Sequence, residues 1–105
     1  MGSYRSRLDI IADILSVVRG NGKAKKTQIM YGANLSYAVL TRYLAEVINA
    51  CLIKFEASKR CYVLTEKGRK FLEHYREYSM RNRHVARQLE TVNAKRKLLE
   101  ELCRT

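Results

Sequence analysis

The sequence contains no proline, and it has only five glycines among its 105 residues. Because proline is the strongest breaker of helices, its absence permits long uninterrupted helices. Cysteine is also sparse: Cys51, Cys61 and Cys103 are odd in number and form no CxxC pair. This usage argues against a disulfide framework, and we expect Cys51 and Cys61 to be small core residues of a reduced, cytoplasmic protein.

Other absences limit the classes of function. The sequence has neither a signal peptide nor an apolar run of transmembrane length. His74 and His84 have no cysteine or carboxylate at metal-ligand spacing, so we expect no metal site. The sequence offers no set of nucleophile, base and orienting group that could form a catalytic site, and it has no glycine-rich phosphate loop. We therefore predict no catalysis, no cofactor, no small-molecule substrate and no membrane partner.

Positive charge is abundant: 21 Lys and Arg stand against 10 Asp and Glu, giving a net charge of +11. The excess is shared between residues 1–64 and residues 65–105. A basic balance of this size suggests a polyanionic partner, with nucleic acid as the first candidate. A membrane surface fits less well, because the apolar stripe of the C-terminal region is narrow.

The C-terminal region, residues 66–104, has apolar residues at alternating spacings of four and three. A 3.5-residue repeat held over four heptads is typical of a coiled coil. A helix of this length extends for roughly 58 Å, more than so small a domain can cover, so we predict dimerisation through it. The predicted seam consists of Phe71, Tyr75, Tyr78, Asn82, Val85, Leu89, Val92, Arg96, Leu99 and Cys103. Its polar members Asn82 and Arg96 are expected to restrict register and orientation.

Three helices are predicted in the first 65 residues. Ser6 can cap the first, which ends at Gly20-Asn21-Gly22. A short helix from about Thr27 to Tyr31 is separated by Gly32-Ala33-Asn34 from a third, which runs from Ser36 to about Ala50. Two helices joined by a short glycine-containing turn indicate a helix-turn-helix. Among the tyrosines of these helices, Tyr31 and Tyr43 are expected in the core.

A β-hairpin is predicted after the third helix. Residues 53–57 alternate between apolar and charged side chains, residues 58–60 form a turn, and residues 61–64 form a second strand. Thr65 then caps the C-terminal helix. The predicted fold class is mainly α (α+β): a winged helix-turn-helix head over residues 1–65, followed by a long coiled-coil helix over residues 66–105.

Two stretches resemble a known family. Residues 29–37 (IMYGANLSY) and residues 62–68 (YVLTEKG) are similar to those of small archaeal winged-helix chromatin proteins. The resemblance covers nearly the whole chain in order. It implies a homodimer joined through an antiparallel coiled coil, which binds duplex DNA with little sequence preference. This sequence departs from the pattern in the wing turn, where Ser58 stands where a glycine would be easier.

The positions of the motifs identify candidate DNA contacts. The second helix of a helix-turn-helix enters the major groove by its N-terminal residues, which here are Ser36, Tyr37, Leu40, Thr41 and Arg42. Cations outside this helix can bind phosphates. They lie at the start of the preceding helix (Lys23, Lys25 and Lys26, with the Thr27 hydroxyl), at the wing tip (Lys59 and Arg60) and before the first helix (Arg5 and Arg7). The exposed first turn of the recognition helix lacks Asn, Gln and Arg, which favours weakly selective binding.

Three functions fit these observations. The first is an architectural DNA-binding homodimer associated with the chromosome in the cytoplasm, whose separated heads bridge or stiffen duplexes. The second is a sequence-specific transcriptional regulator, which would need base-reading side chains on the recognition helix. The third is a protein-interaction adaptor, for which a net charge of +11 has no evident purpose.

Overall fold

A computed structural model describes residues 5–104, so residues 1–4 and 105 of the two predicted domains lie outside the described part. The chain separates into two compact units, the first ending at Tyr75 and the second beginning at Arg76. The elements in order are α1 (Arg7–Asn21), α2 (Lys26–Gly32), α3 (Tyr37–Asn49), β1 (Ile53–Glu56), β2 (Cys61–Leu64) and α4 (Glu66–Leu102). This order confirms the predicted fold class.

Helix α1 begins at a reciprocal cap. The Ser6 hydroxyl accepts a hydrogen bond from the backbone N–H of Asp9 at 3.1 Å, and the Ser6 N–H donates to the Asp9 carboxylate at 2.9 Å. Each bond satisfies a donor that a helix N-terminus otherwise leaves unpaired. The helix stops at Gly22, whose φ of +72° suits a residue without a Cβ. Its inner face supplies five residues of the core: Ile11, Ala12, Ile14, Leu15 and Val18.

The glycine predicted in the turn between α2 and α3 does not form that turn. Gly32 belongs to α2, and the left-handed residue is Asn34, with a φ of +54°. A Cβ on Gly32 would lie 2.8 Å from a methyl carbon of Val17. Gly32 therefore permits the close approach of α1 and α2, whereas Asn34 makes the turn.

The hairpin pairs β1 with β2 in antiparallel register, with Ile53 opposite Leu64 and Phe55 opposite Tyr62. Ala24, in the connection between α1 and α2, forms a bridge to Tyr62 and so ties the wing to the helices. The wing turn spans residues 57–60, and its left-handed residue is Arg60, with a φ of +51°. The backbone constraint thus falls on Arg60 rather than on Ser58.

Cys51, in the connection between α3 and β1, is not the core residue that the sequence predicted. Cys61 is buried as predicted, but Cys51 is exposed and has a φ of +62°. Cys51 lies where α3 has ended and the chain reverses, so its side chain faces solvent. Its carbonyl accepts a hydrogen bond from the Thr65 hydroxyl at 2.6 Å, and the same hydroxyl accepts one from the N–H of Gly68 at 3.0 Å. Thr65 therefore caps α4, as predicted, and also fastens it to this turn.

The first turns of α4 belong to the head. Leu72 is buried in the core, and Phe71 and Tyr75 pack against it. The Tyr75 hydroxyl donates a hydrogen bond to the carboxylate of Asp9. The structure thus differs from the predicted domain boundary, which placed all of α4 outside the head, and it gives Phe71 and Tyr75 contacts within their own chain.

The second unit is the remainder of α4. Every described residue from Met80 to Arg104 is exposed. The seam residues Val85, Leu89, Val92 and Leu99 keep between 59% and 64% of their surface accessible, and Tyr78 keeps 52%. Apolar side chains at this spacing give the helix one apolar stripe.

Candidate nucleic-acid interface

The N-terminus of α3 presents a mixture of capping and exposed side chains. Ser36 is the N-cap, and its hydroxyl accepts a hydrogen bond from the N–H of Val39 at 3.3 Å. Tyr37 follows and is 64% exposed. Leu40, expected beside it at the groove, is instead fully buried, because the core-facing stripe of α3 passes through that position. Leu40 is therefore not a contact residue.

Lys26 and Tyr37 join the two helices of the helix-turn-helix. The Lys26 ammonium donates a hydrogen bond to the Tyr37 hydroxyl at 3.2 Å and lies 4.3 Å from the centre of its ring. This hydrogen bond, followed by the charge of Lys26, lowers the pKa of the Tyr37 phenol below its ordinary value. The pair places one cation and one hydroxyl side by side on the exposed surface, an arrangement suited to a phosphate oxygen.

The next turn of α3 carries Thr41 and Arg42, both exposed. The Thr41 hydroxyl donates to the carbonyl of Tyr37 at 2.9 Å, so its proton is already used within the helix. The Arg42 guanidinium lies 5.3 Å from the ring centre of Tyr43. Tyr43 itself is buried, as predicted, and its ring attracts the Arg42 guanidinium.

A shallow basic depression lies between the start of α2 and the wing. It measures about 330 Å³, and Lys23, Lys25 and Lys59 are among the residues that line it. The N–H of Lys25 is satisfied by the side-chain carbonyl of Gln28 at 2.8 Å, which orders the first turn of α2. These lysines belong to two separate elements in the sequence, and the fold brings them together.

Three further residues are exposed: Thr27 and Tyr31 on α2, and Arg60 in the wing turn. Thr27 and Arg60 are predicted DNA contacts, whereas Tyr31 is not. Tyr31 is 78% exposed and so contradicts the expectation that it would be a core residue. Its position in the helix could have revealed this. Ile29, two residues earlier, is fully buried, and a separation of two residues turns a helix by about 200°.

The two arginines near the start of α1 make contacts within the chain. Arg5 donates hydrogen bonds to the carboxylate of Asp13 at 2.9 Å, to the carbonyl of Ala33 at 2.6 Å and to the carbonyl of Asn34 at 2.9 Å. It therefore fastens the turn of the helix-turn-helix to α1 rather than forming a free arm. Arg7 forms an ion pair with Glu46. Glu46 lies nine residues after Tyr37, roughly 13 Å along α3, so Arg7 is remote from the exposed N-terminal turn.

Comparison with known proteins agrees with this arrangement. Residues 4–82 match the sequence model of the winged helix-turn-helix family, which is well over half of the chain. The chain belongs to the winged helix-turn-helix family. Helices α2 and α3 are thus its helix-turn-helix, and the hairpin is its wing.

Two archaeal relatives of this winged-helix chain come from Methanocaldococcus jannaschii. The uncharacterised protein MJ0287 is 36% identical over 66 residues, which are 63% of this chain and 65% of that protein. The uncharacterised protein MJ0290 is 36% identical over 73 residues, covering 70% of this chain and 33% of that protein. The chain thus spans less than two thirds of the length of either curated relative.

Solved structures share the winged-helix fold. Sso10a-2, a DNA-binding protein from Sulfolobus solfataricus, is 28% identical, with a TM-score of 0.61 over 96% of this chain and 99% of that one. A MarR family transcriptional regulator from Silicibacter pomeroyi DSS is 19% identical, with a TM-score of 0.61 over 91% of this chain and 69% of that one. Ligand-free NadR is 22% identical, with a TM-score of 0.59 over 92% and 73%. At these last two identities the similarity shows the fold alone.

The fold is thus a winged-helix DNA-binding fold with a long C-terminal helix. Among residues 5–104, no helix combines the length and the apolar composition that crossing a membrane requires.

Proposed function

We propose that the chain is an architectural DNA-binding protein that acts as a homodimer, binds double-stranded DNA with low sequence specificity and associates with the chromosome. Duplex DNA would contact the N-terminus of α3, the start of α2 and the wing turn at residues 57–60. The observation that carries the proposal is the chemistry of the recognition helix, where the exposed N-terminal residues suit phosphates better than base edges.

Base readout needs side chains with free donors and acceptors in a fixed geometry, above all the bidentate groups of Arg, Asn and Gln. The two short hydroxyls at the N-terminus of α3 have local partners: Ser36 accepts from Val39, and Thr41 donates to Tyr37. Arg42 is the one candidate for bidentate readout among these residues, and it lies beyond the first turn. Little sequence selectivity is therefore expected from this helix.

Charge supports contact with the phosphate backbone. Residues 22–45, which include α2 and most of α3, contain four cations and no Asp or Glu; the cations are Lys23, Lys25, Lys26 and Arg42. The wing turn adds Lys59 and Arg60. Binding through such cations releases counterions from the DNA, so affinity should fall steeply as salt rises.

The second unit supports dimerisation. A helix whose apolar residues remain about 60% exposed gains little from tertiary packing, and most helices depend on such packing for stability. A second copy of the chain would cover the stripe formed by Val85, Leu89, Val92 and Leu99. We propose an antiparallel coiled coil through this part of α4, consistent with the polar residues Asn82 and Arg96 in its seam.

Fluorescence anisotropy tests the mode of DNA binding. Two unrelated duplexes of about 30 base pairs are titrated at several salt concentrations, and the log–log slope should be about −0.9 for each phosphate neutralised. Similar affinities and matching steep slopes are expected. A large preference for one duplex would favour the alternative, a sequence-specific regulator. No binding at low salt would eliminate both DNA-binding functions and leave the adaptor.

Sedimentation velocity tests the dimer with two matched variants. Leu89→Glu places a carboxylate in the seam, whereas Ala94→Glu places one on the opposite face of the same helix. Leu89→Glu should shift the protein toward the monomer mass, and Ala94→Glu should remain a dimer. Equal masses for the two variants would contradict dimerisation through this stripe.

A further inference from the structure

The wing carries an aromatic ring that phosphate contacts do not explain. Phe55, on β1, is 50% exposed. Unlike the exposed Tyr31 and Tyr37, it has no hydrogen-bonding atom and cannot bind a phosphate oxygen. Its exposed face suits an apolar, aromatic or cationic group, and not a phosphate.

The ring is held in place by the rest of the wing. Phe55 lies opposite Tyr62 in the hairpin, with ring centres 5.1 Å apart and ring planes tilted by 57°. This is within the range of favourable edge-to-face aromatic pairs. Tyr62 packs against the core and exchanges two backbone hydrogen bonds with Ala24, at 2.8 and 3.0 Å. The pair is therefore a fixed aromatic platform, and a ligand that stacks on it needs to order little of the protein.

Three cations lie close to this platform in sequence, two of them in the adjoining turn. Lys54 precedes Phe55, Lys59 and Arg60 lie in the adjoining turn, and Glu56 is the one carboxylate between residues 53 and 64. The turn begins two residues after Phe55, or roughly 7 Å along the strand. A nucleotide could therefore stack its base on the ring while its phosphate binds a wing cation. The combination of aromatic side chains and cations is typical of sites for single-stranded nucleic acid.

We propose that the wing binds single-stranded DNA by stacking an unpaired base on Phe55, an activity separate from the duplex binding proposed above. In a duplex both faces of a base are covered by its neighbours, so the ring has no free base to stack on unless the helix is opened. In a single strand every base can expose a face, and stacking tolerates any sequence. The wing would thus favour DNA that is locally unpaired.

The test compares single-stranded oligo(dT) with duplex DNA on the full chain, by anisotropy at the same series of salt concentrations. Phe55→Ala should weaken oligo(dT) binding about 5- to 150-fold, the range expected for one stacked base. Its duplex affinity should stay unchanged. The salt slope for oligo(dT) should also stay unchanged, because no cation is removed. Ile48→Ala, which trims another exposed apolar side chain, serves as the matched control and should alter neither affinity.

A second variant reports stacking directly. The chain contains no tryptophan, so Phe55→Trp introduces a single indole at the site. Its fluorescence should be quenched by oligo(dT) and much less by a blunt duplex, and oligo(dT) binding should be retained or strengthened.

Three results would overturn the proposal. An equal loss of duplex and oligo(dT) affinity in Phe55→Ala would indicate a wedge that acts on duplex DNA. No loss for either would mean that the ring binds no base. A lower mass of Phe55→Ala in sedimentation would show that the ring lies between copies of the chain. Duplex binding by the unaltered chain is measured separately, so its failure and the failure of this proposal are distinguishable.

Discussion

Replacing Gly68 with alanine tests how α4 is joined to the head. Gly68 is buried in the first turn of α4. A Cβ at this position would lie far inside van der Waals distance of the Leu52 carbonyl oxygen, and 2.6 Å from a methyl carbon of Leu64. The carbonyl belongs to the backbone and cannot rotate away. The helix must therefore move by roughly an ångström to restore an ordinary contact.

This displacement affects bonds that fasten α4 to the turn after α3. The N–H of Thr65 donates to the carbonyl of Leu52 at 3.1 Å, and the N–H of Gly68 donates to the Thr65 hydroxyl at 3.0 Å. Two weakened hydrogen bonds amount to about 2 kcal/mol, and overpacking adds about 1–3 kcal/mol. Alanine returns about 1 kcal/mol through its better helix propensity. The net loss of unfolding free energy should be about 2–4 kcal/mol, which lowers the Tm by roughly 10–25 °C in a domain of this size.

Gly20→Ala is the matched control. Gly20 is also helical, but nothing lies within 4 Å of the position that its Cβ would occupy. The same substitution should therefore stabilise the protein by about 0.5–1 kcal/mol. Both variants are compared by circular dichroism during urea and thermal unfolding, at one protein concentration because a dimer's stability depends on it. If Gly68→Ala unfolds at the same or a higher urea concentration than the unaltered chain, the close approach of α4 to Leu52 is refuted.

Further predictions concern DNA affinity, acid stability and the seam. Lys26→Ala should weaken binding to two unrelated duplexes equally and make the log–log salt slope shallower by about 0.9; a change confined to one duplex would assign Lys26 to base readout. The hydrogen bond from Tyr75 is the largest cause that lowers the pKa of Asp9, so Tyr75→Phe should raise that pKa in an NMR titration. Because the folded-state pKa is lowered, the stabilisation is present above the ordinary value of 3.8 and is lost as the pH falls through the folded-state pKa. Tyr75→Phe should thus reduce stability at neutral pH and flatten its fall in acid, and an unchanged Asp9 pKa would exclude the bond. Asn82→Leu should raise the Tm while the dimer becomes less uniform in mass, and a lower Tm with a uniform dimer would count against a register role.

Elements whose signals are local in sequence were predicted well. The cap at Ser6 joins residues three apart, and a glycine and an asparagine mark the short break between α2 and α3. Hydrophobic periodicity located α1, α3 and both strands, because the side chains that enter the core recur at the period of each element. The same periodicity also assigned Phe71 and Tyr75 to the dimer seam, although both pack against the core of their own chain. An apolar stripe in the sequence does not show whether it packs against another chain or against the chain's own head.

The remaining features depend on partners distant in sequence. Arg5 contacts the carbonyls of Ala33 and Asn34, 28 and 29 residues away, and no local pattern distinguishes it from a free basic arm. The basic depression exists because the hairpin folds back beside α2 and brings Lys59 to Lys23.

The sequence by itself determined the helix-turn-helix, the wing and the heptad stripe, because caps, turns and periodicity act over a few residues. Only the tertiary structure decided which cations remain free for a polyanion and which bind within the chain, since that depends on what each side chain meets after folding. It also decided that α4 begins inside the head. Gly68 permits the backbone of α4 to approach Leu52. This contact cannot be predicted from the glycine alone, because it joins two segments that are distant in sequence.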